Sequence, residues 1–137
     1  MKKILPIVAL VLVVAAGSYV YLSKSGSGES VVPPTTQFFG SDHILSTDTV
    51  IQITDKGFEP SDISIKKGKR VVFINETSDW AWPASDPHPT HTEYSGFDPQ
   101  EPFKNGEAWA FTFDRVGDFT FHNHLEPNRR GIIHVTE

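Results

Sequence analysis

The fold prediction rests first on residues 57–75, GFEPSDISIKKGKRVVFIN. This stretch opens with turn-forming Gly57 and Pro60, alternates apolar and polar residues over 63–66, and passes Lys67-Gly68 into a β-branched run over 70–75. Alternation with a period of two and a high content of β-branched residues are typical of strands. The stretch therefore predicts two strands joined by a tight turn.

The rest of the C-terminal part of the chain repeats this pattern. Further strands are predicted over residues 50–54, 118–124 and 132–136, and another where Trp109, Phe111 and Phe113 alternate with small or polar residues. Residues 77–106 are Pro-rich, contain histidine and show no helical period. Short strands separated by turns, without a convincing helix, predict an all-β sandwich.

The composition excludes several classes of function. The chain has 137 residues, a formal net charge of -5 and no cysteine. The mildly acidic balance argues against nucleic-acid binding, which relies on clustered Lys and Arg. Without cysteine, the chain can form neither a disulfide nor a thiolate metal site.

The N-terminus is predicted to lie outside this domain. Lys2 and Lys3 precede an apolar run over residues 4–22, which is typical of an export signal and about long enough to span a bilayer. We favour an uncleaved signal-anchor helix over a signal peptide cleaved near the small residues at 15–17, which would give a secreted protein. The anchored chain would face the periplasm or the extracellular space. Residues 1–22 are thus the predicted anchor, 23–48 a flexible linker and tether, and 49–137 the folded domain.

The order of these elements resembles that of the cupredoxins, the superfamily of blue-copper proteins and multicopper oxidases. The closing strands match over residues 117–122 and 131–135. The opening strands match over Gly57-Phe58-Glu59-Pro60, Ile63-x-Ile65-x-x-Gly68 and Val71-Val72-Phe73-Ile74-Asn75. The resemblance covers essentially all of residues 49–137 and implies a cupredoxin-like Greek-key β-sandwich.

The ligands of a blue copper centre are largely missing. The resemblance puts Asn123 in the cysteine position, Glu126 in the second histidine position and Arg129 near the methionine position. His88 alone stands in place of the first histidine. Because a blue centre needs a thiolate sulfur, we expect none here. The resemblance is thus to a cupredoxin variant that lacks the cysteine ligand.

A second resemblance, to the last domain of the multicopper oxidases, points to a different metal site. His88-Pro89-Thr90-His91-Thr92-Glu93 is similar to their His-Pro-x-His-x-His motif, and His122-Asn123-His124 is similar to their His-Cys-His motif. The resemblance implies that His91, His122 and His124 are copper-cluster ligands, with Glu93 as a carboxylate substitute. It implies that His88, Asn123 and Glu126 are remains of the blue site.

Strand geometry gives an independent argument for grouping the histidines. Successive side chains of a strand point to opposite faces, so His122 and His124 share a face, with Cβ atoms roughly 6–7 Å apart. Asn123 and the phenylalanines of this strand take the opposite, core side. The long preceding loop can fold back over the two histidines. Because imidazole suits Cu, Zn, Fe or Ni, we expect a metal site formed by His88, His91, His122, His124 and Glu93.

The donor set suits copper and zinc alike, and the resemblance implies copper as the ion, with zinc as the alternative. The leading hypothesis is an extracytoplasmic, membrane-tethered protein that binds or carries copper or supports redox chemistry, with a redox or copper-delivery protein as partner. Histidine ligands without sulfur favour Cu(II) over Cu(I), and thus a slow carrier or sensor over a fast redox relay. A second hypothesis is a type 2-like copper or zinc enzyme completed by homo-oligomerisation, although we favour a binding protein. A third is a metal-free accessory β-sandwich.

Overall fold

The structure is a computed structural model that describes residues 37–137, so the predicted N-terminal helix over residues 1–22 lies outside the described residues. Among residues 37–137, no helix has the length and apolar character needed to cross a membrane. The all-β prediction is confirmed, because the described residues form nine strands and a single 3-10 turn. These are β1 (Phe39–Gly40), the turn (Ser41–His43), β2 (Thr49–Thr54), β3 (Gly57–Glu59), β4 (Asp62–Lys66), β5 (Lys69–Asn75), β6 (Pro83–Ser85), β7 (Glu107–Phe113), β8 (Gly117–Asn123) and β9 (Glu126–Thr136).

The strands form two mixed sheets that pack face to face. The five-stranded sheet has the order β1-β7-β5-β2-β3, and the four-stranded sheet has the order β4-β9-β8-β6. Each contains one parallel pair, β2 with β5 and β4 with β9. Phe73 of one sheet and Phe121 of the other meet with ring centroids 5.6 Å apart. Burial of such apolar faces is the main force that holds the two layers together.

Aromatic side chains fill the core and anchor the long loop between β6 and β7. Trp109, Phe111 and Phe113 share one face of β7, as the alternation predicts, and their rings contact one another. Phe97 comes from the loop, yet it is fully buried and stacks on Trp109 with ring centroids 5.8 Å apart. Phe103, also from the loop, is fully buried. The loop is therefore fixed on the sandwich by its own side chains.

The described part of the predicted tether belongs to the sandwich. Phe39 of β1 pairs with Ala108 of β7, and the ring of Phe38 stacks on Phe103 with centroids 5.1 Å apart. The Asp48 carboxylate accepts hydrogen bonds from Arg70 at 3.1 and 2.8 Å. The folded part therefore begins before Thr49, and Phe38 and Phe39 pack on the domain as their apolar character suggests.

The pairing of β8 with β6 and β9 determines the position of His122. His122 of β8 stands opposite Ala84 of β6 on one side and Arg130 of β9 on the other. The register with β9 is irregular between His122, which stands opposite Arg130, and Asn123, which stands opposite Glu126. The Asn123 side-chain oxygen accepts a hydrogen bond from the backbone N–H of Trp82 at 3.0 Å. The break in register and this hydrogen bond set the path of the chain beyond His122.

Candidate metal centre

Four histidines from two distant segments meet beside the four-stranded sheet. His88 and His91 come from the long loop, His122 comes from the end of β8, and His124 directly follows that strand. Each offers one ring nitrogen, and these four nitrogens all lie within 4.8 Å of one another. The rings of His88 and His122 have centroids 5.2 Å apart, and those of His91 and His124 have centroids 4.9 Å apart.

Backbone hydrogen bonds fold the loop back over the end of β8. The N–H of His91 donates to the carbonyl of Pro87 at 2.9 Å, and the N–H of Glu93 donates to the carbonyl of Asp86 at 2.8 Å. His91 adopts a left-handed backbone conformation with a φ of 51°. This conformation costs a residue other than glycine on the order of 1–3 kcal/mol and is typical of ligand-binding sites.

Two pairs of ring nitrogens already stand at the separation of ligands to one ion. His88 Nδ1 lies 3.2 Å from His122 Nε2, and His124 Nδ1 lies 2.9 Å from His91 Nε2. Neighbouring ligands at a metal–nitrogen distance of about 2.0–2.1 Å are separated by about 2.8–3.4 Å. The inward set is therefore Nδ1 of His88 and His124 and Nε2 of His91 and His122.

Two carboxylates fix the tautomers of the buried histidines. Asp86 Oδ1 lies 2.7 Å from His122 Nδ1, and Asp98 Oδ2 lies 2.6 Å from His91 Nδ1. An ionised carboxylate only accepts hydrogen bonds, so each Nδ1 carries the proton. Each Nε2 then presents its lone pair to the centre. This carboxylate–histidine arrangement is the usual support of a metal-binding histidine.

The carboxylates are themselves held as anions. Asp86 accepts a hydrogen bond from the Arg130 guanidinium at 2.6 Å, and Asp98 accepts one from Trp82 Nε1 at 2.8 Å. Burial would raise the pKa of Asp86, but the polar contacts with Thr120 and His122 and the Arg130 charge hold it below its usual range. Burial likewise opposes ionisation of Asp98, yet its hydrogen bonds, first that of His91 and then that of Trp82, lower its pKa.

The histidines of β8 are poised to stay neutral. Burial lowers the pKa of His122, and the nearby His91 and His88 lower it further against the opposing effect of Asp86. Burial also lowers the pKa of His124, again with a contribution from His91 and His88. A metal ion binds the neutral imidazole, so these shifts keep the lone pairs available at neutral pH.

The centre is buried on one side and open on the other. His122 is fully buried and His91 is 7% exposed, whereas His124 is half-buried and His88 is exposed. The Trp82 ring lies over His124 with centroids 4.3 Å apart. The interior side is therefore shielded from water, and the His88 side faces solvent.

Glu93 lies outside the histidine group. Its Oε2 accepts a hydrogen bond from the Thr120 hydroxyl at 2.9 Å on the exposed side of β8. The prediction that groups Glu93 with the histidines does not match this geometry, because the folded-back loop turns the Glu93 side chain toward Thr120. Glu126 forms an ion pair with Arg129 at 2.9 Å, the surface pairing that their spacing favours. His134 bonds to Asp118 and also lies apart from the four histidines.

The supporting residues were not identified from the sequence. They are Asp86, Asp98, Trp82 and Arg130, each joined to the histidines directly or through one carboxylate. A usable signal exists for the two aspartates, since each stands immediately before a proline in the histidine-bearing loop. Both Asp-Pro pairs mark loop positions whose backbone is restricted, which suits a residue that must orient a ligand.

The donor set fits a metal ion that is intermediate between hard and soft in its ligand preference, and it excludes a blue copper centre. Four imidazole nitrogens converge, and the chain has no cysteine to supply a thiolate. Imidazole donors suit Cu and Zn, and the two supporting carboxylates favour a divalent cation by charge. The cluster can therefore hold a metal ion, although not with the thiolate chemistry of blue copper.

Comparisons with known proteins identify the fold. No protein-family model matches the sequence, and no curated protein matches it. The reduced Cu(I) form, at pH 4, of an amicyanin mutant matches with a TM-score of 0.64 and 20% identity, over 75% of this chain and 95% of that chain. A purple cupredoxin from Nitrosopumilus maritimus matches with a TM-score of 0.57 and 20% identity, over 65% of this chain and 100% of that chain. The protein thus has a cupredoxin-like fold, in a variant that lacks the cysteine ligand of blue copper.

Proposed function

We propose that this protein binds copper, as Cu(II), through His88, His91, His122 and His124. The observation that carries the proposal is the convergence of four ring nitrogens within 4.8 Å of one another. The carboxylates behind His122 and His91 support it, because they orient both rings with their lone pairs inward. A chance group of surface histidines would have no such support.

Copper is favoured over zinc by the structural neighbours. Two of the amicyanin structures are described as Cu(I) forms, and amicyanin shares the fold of this protein. Nitrogen donors without sulfur favour Cu(II) over Cu(I), so we expect the divalent ion. Zinc is the second candidate, because histidine nitrogens suit it equally well.

The side chains would divide the work at such a centre. His122 and His91 bind from the buried side, and Asp86 and Asp98 keep their Nδ1 protons in place. Trp82 covers His124 and hydrogen-bonds Asp98, which excludes water from that side. A bound copper ion would supply a redox-active and Lewis-acidic centre. The protein's role in this proposal is to bind or carry the ion rather than to relay electrons quickly.

Copper stoichiometry tests the assignment. The purified protein is loaded with Cu(II), dialysed and analysed for metal, and one ion per chain is expected. His122→Ala combined with His124→Ala is expected to abolish retention. His134→Ala is the matched control, because His134 lies on β9 outside the cluster, and it should retain one ion. Unchanged copper content in the double variant would contradict the proposed site.

The proposed cellular setting is a membrane tether on the outer side of the membrane. Lys2, Lys3 and the apolar run over residues 4–22 support it. A copper-delivery or redox protein is the proposed partner. Association of the chain with copies of itself is also proposed. Membrane fractionation tests the tether: the full chain should sediment with membranes, and a chain that lacks residues 1–22 should not. Equal distribution of both chains would contradict it.

A further inference from the structure

The four histidine side chains differ in how strongly burial and hydrogen bonds restrain them. His91 and His122 are buried, and each has its outward nitrogen bound to a carboxylate. His124 is packed under the Trp82 ring, and its backbone N–H donates to the Trp82 carbonyl at 2.7 Å. These three are the anchored histidines, because each has a restraint that is independent of any metal ion.

His88 has no such restraint. It is exposed on the long loop, and among residues 37–137 its ring nitrogens make a single hydrogen bond, to His122 Nε2 at 3.2 Å. That bond joins two inward nitrogens, so it would be replaced when an ion is bound. No carboxylate of the described residues forms a hydrogen bond or ion pair with its ring. The outward nitrogen of His88 therefore faces solvent.

We propose that His88 is the exchangeable ligand of the centre, at which a neutral nitrogen donor from outside, such as the imidazole of a partner's histidine, takes its place. This inference rests on the proposed copper-binding function and adds the route by which the ion enters and leaves. The bond from the ion to His88 breaks as the bond to the incoming imidazole forms. Both imidazoles are neutral, so the exchange moves no proton and no electron.

The energetics favour His88 over the other three as the ligand that leaves. A released His88 side chain regains water contacts and rotamer freedom. Release of His122 would instead leave a buried ring nitrogen unpaired, which costs the full desolvation of that group. Release of His91 would have the same cost, because Asp98 holds its ring in the buried position. The easiest route for exchange therefore lies on the exposed side.

Imidazole rescue tests the proposal. His88→Ala and His122→Ala are loaded with Cu(II), and each is titrated with imidazole while copper retention and the electron paramagnetic resonance spectrum are followed. His88→Ala is expected to retain one ion per chain, to lose it to a chelator faster than the wild type, and to gain a nitrogen coupling on adding imidazole. His122→Ala is expected to lose the ion, without recovery on adding imidazole. His91→Ala removes an anchored histidine from the loop and leaves β8 unchanged, and it is expected to behave like His122→Ala. Agreement of the two variants would show that loss of copper does not come from misfolding of β8.

The outcomes separate this inference from the proposed function. Loss of copper by His88→Ala without rescue would overturn the exchangeable role, as would equal rescue of His88→Ala and His91→Ala. Failure of the wild type to bind Cu(II) would overturn the proposed function itself. Circular dichroism and the thermal midpoint of each variant confirm that the comparison is between folded proteins. His134→Ala, outside the cluster, should behave as the wild type throughout.

Discussion

At the scale of single residues, Asp86 and Asp98 set the chemistry of the histidines they contact. Each accepts a hydrogen bond from an Nδ1 and is itself fixed by another donor, Arg130 for Asp86 and Trp82 for Asp98. The result is a chain of contacts from the surface to the inward nitrogens of His122 and His91. Removing a carboxylate should therefore weaken metal binding without removing a ligand.

Replacing either carboxylate by an amide tests this connection. Asp86→Asn and Asp98→Asn are each expected to weaken Cu(II) affinity by about 10–100-fold, the usual cost of losing the outer partner of a metal-binding histidine. Competition with a chelator of known affinity measures the change. Asp118→Asn is the matched control, since Asp118 bonds to His134 away from the centre, and its affinity should equal that of the wild type.

The pH dependence of copper binding follows from the same environment. Burial lowers the pKa of His122 and His124 from the ordinary value of 6.5, so both stay neutral down to a lower pH than a free histidine. Protons compete with the ion for these two imidazoles only below those pKa values. Cu(II) affinity is therefore expected to stay constant from pH 8 to about 6.5 and to fall below that range. A fall that begins well above pH 6.5 would contradict the lowered pKa values.

The sequence predicted the histidines but not their supports. His-x-x-His and His-x-His spacing, together with strand alternation, grouped His88, His91, His122 and His124, which the structure brings together. Asp86 acts on His122, 36 positions away, so local spacing carries no sign of the contact. Local spacing also grouped Glu93 with the histidines, whereas it binds Thr120, because the direction of a loop side chain depends on how the loop folds back.

At the scale of elements, the pairing of β8 with β9 positions the centre. Phe121 stands opposite Gly131, one step from the pair of His122 and Arg130. A Cβ on Gly131 would overlap the Phe121 ring and lie 2.8 Å from the Ser61 carbonyl oxygen. Only glycine at this position of β9 allows the Phe121 ring and the Ser61 backbone to approach so closely.

Gly131→Ala is accordingly expected to lower the free energy of unfolding by roughly 1–3 kcal/mol, the usual cost of overpacking a core. Denaturant unfolding followed by circular dichroism measures it. Thr112→Ala, at an exposed position of β7, serves as the control and should change the free energy of unfolding by less than about 0.5 kcal/mol. Equal effects of the two substitutions would show that the close approach at Gly131 is wrong.

The strands that could be predicted from the sequence are those with a clear local pattern of residues. The strands that alternate or are rich in β-branched residues, β2, β4, β5, β7 and β8, lie where the sequence placed them within one or two residues. The short strands β1, β3 and β6 have two or three residues each, too few to show a period. β9 begins at Glu126 rather than at residue 132, because pairing with β8 recruits polar residues that have no strand pattern of their own.

At the scale of the whole molecule, the described residues before Thr49 close one edge of the sandwich. β1 pairs with β7, Phe38 stacks on Phe103, and Asp48 binds Arg70. The sequence showed no periodicity there, which is why residues 23–48 were predicted to be a linker and tether. The described strands form the cupredoxin-like fold that the sequence resemblance had already indicated.

Truncation measures the contribution of this segment. A chain that begins at Thr49 is expected to be less stable than one that begins at Gln37 by about 2–4 kcal/mol, from the lost charged hydrogen bonds and the aromatic pair. Its Cu(II) stoichiometry should not change, because the histidines lie at the other sheet. Thermal unfolding and metal analysis of the two chains give both values. Loss of copper together with stability would mean that the segment also supports the centre.

Electron paramagnetic resonance of the Cu(II)-loaded protein reports which atoms bind the copper ion. Four histidine nitrogens predict a normal, wide copper hyperfine splitting with coupling to nitrogen, and no intense visible colour, because the chain has no thiolate. The nitrogen coupling should disappear in the His122→Ala and His124→Ala double variant. A spectrum without nitrogen coupling, or one with a narrow splitting and strong colour, would contradict a copper centre made by these four histidines.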